Sequence, residues 1–337
     1  MMNIKRVIIN PIIRLGLCCL SLVMGLNSCS MVWMDQTDCP QGLSLQFIYD
    51  LNMEFSDAFN KKVHCVSLLV FDQNGNYLTT IEETTDALKD EDYRMTLNME
   101  PGDYTLVAYG GHPCEESSFN IAQFAAKSSD HISSLYAEMK HDDFVSDDAK
   151  HDFFHGMHSF SVSQNKVSQE KIYLTKNTNN IRIVLQQLNG DPINSDMFTY
   201  KIVDDNSYMD YQNNIVSKGD ITYLPFATGE ATVGSAEDGQ TPVYAAFAEF
   251  STSRLTTDTS PKLVIRNVEK DEVVINIPLT SYLLLLKSQK YDEMGAQEYL
   301  DRESDWSVVF FLDPGHRWIN THIVVNDWTV RINDTEL

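Results

Sequence analysis

The chain is short of basic residues, and this shortage excludes whole classes of function. It carries 25 Lys and Arg against 48 Asp and Glu in 337 residues, for a formal net charge of −23. Binding to nucleic acid or to anionic lipid headgroups needs clustered Lys and Arg. The composition therefore argues against a nucleic-acid partner and against electrostatic attachment to a membrane.

Motifs for catalysis and for cofactor binding are also missing. The sequence has no P-loop, no GxGxxG, no HExxH and no nucleophile elbow. Acidic pairs are frequent in so acidic a chain, so they carry little weight as glycosidase carboxylates. We therefore predict no enzymatic activity, no catalytic residue and no cofactor.

Metal-binding patterns are weak. His151 and His155, in a segment that also holds His141 and His158, are four residues apart and could share a helical face as ligands. Phe153 and its neighbours, however, are typical of a strand or a core, which would break that geometry. We predict a solvated acidic loop there and no metal.

A second acidic stretch resembles a loose calcium loop. It contains Asp50, Asn52, Glu54 and Asp57, but the glycine and the terminal Glu of an EF-hand are missing. We therefore expect no calcium at this position either.

The first 28 residues have the build of a secretory signal. Lys5, Arg6 and Arg14 form a basic region, an apolar run follows, and small residues precede Cys29. An uncleaved anchor helix is disfavoured because the apolar run is shorter than the roughly 20 residues that span a bilayer. A cut by the ordinary signal peptidase is the remaining alternative.

The sequence Leu26-Asn27-Ser28-Cys29 resembles a bacterial lipobox, in which signal peptidase II cuts before a cysteine that then carries lipid. We predict a cleaved signal over residues 1–28, lipid attachment at Cys29 and a tether over residues 29–38. Removal of the signal leaves 309 residues, with 22 basic against 48 acidic residues and a net charge of −26. That length is enough for two ordinary domains.

Cysteine is scarce in the remaining chain. Two of the six cysteines fall in the predicted signal and one would carry the lipid, which leaves Cys39, Cys65 and Cys114. An oxidising compartment permits a disulfide, and the odd count leaves at least one of the three unpaired. The sequence predicts at most one disulfide among them and does not choose the pair.

Alternating apolar and polar residues predict strands through most of the chain. Residues 43–49 alternate, and Asn74-Gly75 predicts a hairpin turn. Pro101-Gly102 predicts a second hairpin, residues 229–240 a surface loop, and residues 280–299 a helix.

The segment 99–108 resembles the strand-turn-strand signature of transthyretin-like β-sandwiches. We therefore predict an all-β chain of two tandem transthyretin-like sandwiches with a few short helices. The N-terminal sandwich is expected over residues 39–168 and the C-terminal one over residues 169–337.

An ordered set of short motifs resembles the FimB/Mfa-type fimbrial anchor family of Bacteroidales. The matching segments near the start are Cys39-Pro40, Gly42-Leu43, 47–52, 58–59, 66–72 and Gly75. Those toward the end are 176–180, 297–302, 310–313, 318–319 and 325–328.

The resemblance implies a surface lipoprotein of the machinery that builds strand-exchange pili. Such an anchor sits at the base of the fibre, holds it in the outer membrane and limits its release and length. The implied partner is a pilin, engaged by β-strand addition to an exposed sheet edge or groove. Cys29 is the functional residue that the resemblance carries over.

Two other functions compete with this interpretation. One is a surface lipoprotein that binds glycan or a host ligand without a fibre, which exposed aromatic residues would favour. Trp306, Trp318 and Trp328 fall in alternating strands instead, which indicates core positions. The other is a periplasm-facing structural lipoprotein, which differs only in the leaflet that holds the lipid.

The lipobox gives a direct test of anchoring. Because Cys29 is the only cysteine at such a motif, Cys29→Ala should release the protein from membranes without unfolding it. Fractionation of cells that produce the variant measures this, and an unchanged membrane fraction would contradict lipid attachment.

Overall fold

The computed structural model describes residues 42–114, 116–122, 125–127, 129–235, 242–326 and 328–331. The predicted signal and tether lie outside the described residues, as do Cys29 and Cys39. Strands dominate the described part, with short helices between them, which confirms the prediction of an all-β sandwich fold. In that part of the chain, no helix is long and apolar enough to cross a membrane.

Among the described residues, eleven strands come from each half of the chain. The first set is β1 (Gly42–Ile48), β2 (Val66–Asp72), β3 (Tyr77–Glu83), β4 (Met95–Leu97), β5 (Gly102–Gly110), β6 (Phe119–Ala122), β7 (Tyr136–Met139), β8 (Val145–Ser146), β9 (Phe154–Val162), β10 (Val167–Tyr173) and β11 (Thr175–Lys176). The second set is β12 (Thr178–Gln187), β13 (Phe198–Asp204), β14 (Tyr208–Asp210), β15 (Ile221–Tyr223), β16 (Ala227–Ser235), β17 (Pro242–Ser253), β18 (Lys262–Asn267), β19 (Glu272–Pro278), β20 (Asp305–Leu312), β21 (Trp318–Val325) and β22 (Trp328–Arg331).

Helical segments are short by comparison. The α-helices are α1 (Phe59–Lys62), α2 (Leu279–Lys290) and α3 (Ala296–Arg302), and 3-10 turns cover Asp86–Lys89, Ile132–Ser134 and Ser195–Met197. The single helix predicted over residues 280–299 is therefore two helices. The break spans residues 291–295, and α3 begins directly after Gly295.

The first sandwich packs a sheet of order β10-β1-β4 against a sheet of order β11-β9-β5-β2-β3. Strand β1 is central in its sheet, parallel to β10 and antiparallel to β4. It begins at Gly42, where a Cβ atom would overlap the carbonyl oxygen of Leu97, so only glycine fits. The core between the sheets is formed by Leu43, Leu45, Phe47, Leu68, Val70, Leu106, Ala108, Phe154, Ile172 and Leu174.

The first sandwich includes residues beyond the domain boundary predicted at 168/169. That boundary falls within β10, which pairs along its whole length with β1. Strand β11 in turn pairs with β9. The change from one sandwich to the other in this structure therefore comes after Lys176.

One predicted hairpin is present and the other is wrong. The Asn74-Gly75 turn joins β2 to β3, which pair with each other, and Gly75 has a φ of 81°. Residues 101–102 do not close a hairpin, because β4 pairs with β1 whereas β5 pairs with β2 and β9. The chain crosses from one sheet to the other at this turn.

The second sandwich packs a six-stranded sheet against a five-stranded one. Their strand orders are β16-β17-β12-β20-β21-β22 and β19-β18-β13-β15-β8. Inward residues alternate along the strands, as in β20, where Trp306, Val308, Phe310 and Leu312 are buried. The residues predicted as a surface loop, 229–240, begin inside β16, so this part of the loop prediction is wrong.

The two sandwiches exchange short strands. Strand β8, from the N-terminal half, pairs with β15 at the edge of the C-terminal five-stranded sheet. Strand β14, from the C-terminal half, pairs with β7, which pairs with β6. This three-stranded sheet contributes Phe119, Met139 and Met209 to one buried cluster that is continuous with the C-terminal core.

Polar residues cluster where the chain crosses from the first sandwich to the second, and Lys176 links the two by donating to the hydroxyl of Ser304 at 3.2 Å. The side-chain amides of Asn177 and Asn213 donate to each other at 2.7 and 3.0 Å. Arg254 donates to the carbonyl oxygen of Asn213 at 2.7 Å and forms a two-pronged ion pair with Asp301 at 2.8 Å. Lys176 contacts Asp152 at 2.8 Å.

Arg302 at the end of α3 adds a second connection, to the loop that follows β1. Its Nη1 donates to the carbonyl oxygens of Asp50 and Asn52 at 3.0 and 3.1 Å. Its guanidinium group lies 4.4 Å from the centre of the Phe55 ring, a cation-π distance. One arginine of the second sandwich therefore fixes a loop of the first.

Asp204, at the end of β13, is a buried carboxyl group without a cationic partner in the described part of the chain. It accepts hydrogen bonds from the N–H of Asp205 at 2.9 Å and from the hydroxyl of Thr259 at 3.3 Å. Burial outweighs these bonds and raises the pKa of Asp204 from 3.8 to about 6. The folded state therefore binds a proton more tightly here than the unfolded state does.

This shift predicts a pH-dependent effect of Asp204→Asn. The stability that the proton supplies is complete below pH 3.8 and is lost as the pH rises through about 6. A shift of this size corresponds to roughly 3 kcal/mol. The free energy of unfolding of Asp204→Asn relative to the parent should therefore rise by up to that amount between pH 4 and 7. Urea unfolding at several pH values measures it, and a difference independent of pH would contradict the assignment.

Candidate functional site

Two of the cysteines predicted as disulfide candidates lie together. Cys65 precedes β2 and Cys114 follows β5, their Cα atoms are 5.9 Å apart, and their sulfur atoms are bonded. The N–H of Cys114 also contacts the Cys65 sulfur at 3.0 Å. The disulfide joins the residue before β2 to the loop after β5, at one end of the sheet that contains both strands. We therefore assign it a structural role.

The histidines of residues 141–158 do not come together. His155 is buried in β9, where its Nε2 donates to the carbonyl oxygen of Tyr211 at 2.9 Å, and burial lowers its pKa to about 4. His151 is exposed near Glu116, and His158 pairs with Glu170 at 2.9 Å. Among the described residues, no group of three His, Cys, Asp or Glu side chains is placed to hold a metal ion.

The acidic stretch that resembles a calcium loop uses its oxygens internally. Asp57 accepts hydrogen bonds from the N–H groups of Tyr49 and Phe59 at 2.9 and 3.0 Å. Asn52 donates to the carbonyl oxygen of Tyr49 at 3.0 Å. With Arg302 bound to two of its carbonyl groups, this loop is a part of the connection between the sandwiches.

The tryptophans of the terminal strands lie in or beside the core. Trp306 is buried, and its indole N–H donates to the side-chain oxygen of Asn179 at 3.3 Å. Trp318 is partly buried between Phe310 and Tyr282. The side chain of Trp328 lies outside the described residues. Neither Trp306 nor Trp318 therefore offers an exposed ring to a ligand.

A free sheet edge is the feature of the described residues that suits a protein partner. An edge strand offers unpaired N–H and C=O groups to which another strand can add. At nine residues, β16 is the longest of the described edge strands; β3, β10 and β19 have seven each. Its outer side has no strand beside it in the described part of the chain.

The composition of β16 leaves this edge open to pairing. Natural edges are commonly protected by lysine, proline, charge or a bulge. The strand contains neither lysine nor proline, and its one charged residue, Glu230, accepts a hydrogen bond from the N–H of Ser195 at 3.2 Å. Val233 is 46% exposed, and Phe226, directly before the strand, is 38% exposed. A bulge between Thr232 and Gly234 is its one irregularity of pairing.

The other long edges are better protected. Strand β3 ends in two glutamates, and the N–H of Tyr77 at its start is bound to the carbonyl oxygen of Asp130. Strand β10 carries Glu170 and Lys171, and β19 ends in Pro278. We therefore take β16 as the candidate site for strand addition.

Comparisons with known proteins agree with this architecture. The family model of the fimbrillin-A associated anchor proteins Mfa1 and Mfa2 matches residues 36–334. The resemblance to fimbrial anchors that the sequence motifs indicate is thereby confirmed. No curated protein matches the chain.

Solved structures extend the comparison. A proposed adhesin from Bacteroides thetaiotaomicron is 44% identical, with a TM-score of 0.84 over 89% of this chain and 100% of that one. A proposed polysaccharide-binding protein from the same organism is 27% identical, with a TM-score of 0.75 over 87% and 98%. The fimbrial anchor protein Mfa2 from Porphyromonas gingivalis is 13% identical, with a TM-score of 0.67 over 88% and 100%, which shows a shared fold.

The cysteine geometry predicts a defined thiol count. In residues 30–337, which contain Cys39, Cys65 and Cys114, one thiol should react with iodoacetamide without reductant and three should react after reduction. Intact-mass measurement gives both counts, and peptide mapping should place the free thiol at Cys39. Three reactive thiols in both conditions would contradict the disulfide.

Proposed function

The chain belongs to the family of fimbrillin-A associated anchor proteins, and on that premise we propose that it attaches a strand-exchange pilus to the outer membrane. The proposal has two parts, a lipid at the N-terminus and a pilin bound by strand addition. The observation that carries it is the nine-residue free edge β16 in a chain of this family.

The membrane end of the proposal rests on the lipobox. Cys29 stands 13 residues before Gly42, where β1 begins, and we propose that it carries the lipid. The net charge of the chain disfavours direct binding to anionic headgroups, so a covalent lipid suits the attachment. We place the protein on the cell surface, with its lipid in the outer membrane.

The partner end of the proposal rests on backbone chemistry. A strand from a pilin that lies beside β16 would satisfy the free N–H and C=O groups of its outer side. Exposed Val233 would contribute an apolar contact to one side chain of the added strand. Main-chain bonds supply affinity in this mode, and alternate side chains supply selectivity.

Photo-crosslinking in the native cell tests the partner end. A benzoylphenylalanine in place of Val233 should crosslink to a subunit that also forms the fibre ladder, identified by mass spectrometry of the product. The matched control is the same group in place of Val268, which is 51% exposed but lies in the turn between β18 and β19. A ladder subunit captured at Val268 and not at Val233 would contradict addition at β16.

Proline substitution tests the mode of binding. Successive N–H groups of an antiparallel strand point alternately to its partner and to its free side. Of Ala231→Pro and Thr232→Pro, one therefore removes an outward N–H and should abolish crosslinking while the fold stays intact. Thr79→Pro and Thr80→Pro make the same change on edge strand β3 and should leave crosslinking unchanged. Unchanged crosslinking in both β16 variants would contradict strand addition.

A further inference from the structure

The outward face of the six-stranded sheet has an ordered arrangement of side chains that the proposed function does not use. Strand β12 is central there, paired with β17 on one side and β20 on the other. The register places outward residues in rows across three strands. These rows are Ser251-Asn180-Asp305, Glu249-Arg182-Ser307, Phe247-Val184-Val309 and Ala245-Gln186-Phe311.

The first two rows are polar and the third is apolar, so the polarity of this face decreases along the strands from the first row to the third. A cleft of about 470 Å³ lies over the polar rows. Ligand sites commonly fall in this size range and combine apolar surface with a few placed polar groups. The cleft is lined by Asn180, Arg182, Glu249, Asp305 and Ser307, with Phe226 and the buried core residues beneath.

The polar groups of the cleft are held in place by one another. Asn180 donates to Asp305 at 2.9 Å, and its side-chain oxygen accepts from the hydroxyl of Ser251 at 3.4 Å. The guanidinium group of Arg182 lies 4.8 Å from the centre of the Phe247 ring and 3.6 Å from a carboxylate oxygen of Glu249. All of these residues stand on strands, which position side chains more precisely than loops do.

Donors and acceptors in the cleft remain available to a ligand. The 3.6 Å separation of Arg182 and Glu249 is longer than a hydrogen bond, so the pair keeps its N–H groups and oxygens free for other partners. Phe226, which also lines the cleft, is 38% exposed. The site thus presents alternating donors and acceptors next to an aromatic face.

The chemistry of the cleft selects among classes of ligand. An added β-strand is excluded, because β12, β17 and β20 already have neighbours on both sides. A phosphate or other polyanion is disfavoured, because Glu249 and Asp305 outnumber Arg182. A ligand of low charge with many hydroxyl groups and an apolar C–H face satisfies both the polar residues and the phenylalanine.

We propose that this cleft binds a neutral saccharide, with Arg182, Glu249 and Asp305 contacting its hydroxyl groups and Phe226 lying against its ring. This activity is additional to fibre anchoring, since Arg182, Glu249 and Asp305 stand on inner strands of the sheet and only Phe226 lies beside the β16 edge. The chain would then hold a sugar polymer and a fibre at separate places.

Saturation-transfer NMR with defined sugars tests the proposal. The probes are maltotriose, cellotriose, mannotriose and triacetylchitotriose, each at about 5 mM, a concentration that largely fills a millimolar site. At least one should receive saturation from the protein, and trigalacturonic acid, which is anionic, should not. No transfer to any of the four neutral sugars would overturn the proposal.

Variants place the binding in the cleft. Arg182→Ala and Glu249→Gln should each weaken binding of the responding sugar at least about tenfold. The matched control is Arg266→Ala, since its side chain is 44% exposed against 45% for Arg182 and is likewise paired with a carboxylate, but it stands on the other sheet. Equal binding by Arg182→Ala, Glu249→Gln and Arg266→Ala would overturn the proposal.

The experiment also separates this site from strand addition. Ala231→Pro and Thr232→Pro on β16 should leave sugar binding unchanged, and Arg182→Ala should leave the crosslink at Val233 unchanged. Melting temperatures of all variants distinguish loss of a contact from loss of the fold. A sugar signal lost in a folded β16 variant and retained in Arg182→Ala would place the sugar elsewhere and overturn the cleft assignment.

Discussion

The sheet of order β11-β9-β5-β2-β3 is apolar on both faces, and the arrangement of the rest of the chain depends on covering both. Leu68 and Leu106 point into the first sandwich, whereas Phe71 and Tyr109 point to the other side, and all are buried. Tyr109, Phe153 and Phe119 stack on that second side, with ring centres 5.5 and 4.2 Å apart. A sheet buried on both faces needs a layer on each side. The strands exchanged between the two halves supply the second layer, so neither half completes its own core alone.

The same constraint explains the position of the polar connections. Where the halves meet, buried amides and charges must find partners within the protein. The Asn177–Asn213 pair meets this need at the crossing of the chain, and the bond from Lys176 to the hydroxyl of Ser304 meets it between the two halves. If one partner of such a pair is removed, the other stays buried without a hydrogen bond. The loss of folding free energy is then larger than the net contribution of the bond itself. The junction therefore depends on these polar partners remaining paired.

Local sequence chemistry predicted the elements better than their partners. The Asn74-Gly75 hairpin follows from the turn residues alone, whereas the strand after Pro101-Gly102 joins a different sheet because its pairing is decided by distant residues. The motif segments 176–180 and 297–302 indicated the family, but only the structure shows that they connect the sandwiches. The candidate site was the hardest to see, because β16 carries few apolar residues and lacks the alternation that predicts a strand. A strand with little buried surface leaves little pattern in the sequence, and that same exposure leaves its edge free to bind.

The central position of β1 in its sheet determines how the first sandwich would resist a pulling force. Its first residue, Gly42, follows the segment that bears Cys29, and the loop after its last residue is held by Arg302 of the C-terminal sandwich. Tension between the N-terminus and that sandwich would run along the strand axis. Such a force shears the hydrogen bonds from β1 to β10 and to β4 at the same time, so these bonds resist it as a group. An edge strand that is pulled perpendicular to its axis instead loses its hydrogen bonds one at a time. The first described strand is thus oriented to carry a pulling force from the N-terminal segment with all of its hydrogen bonds at once.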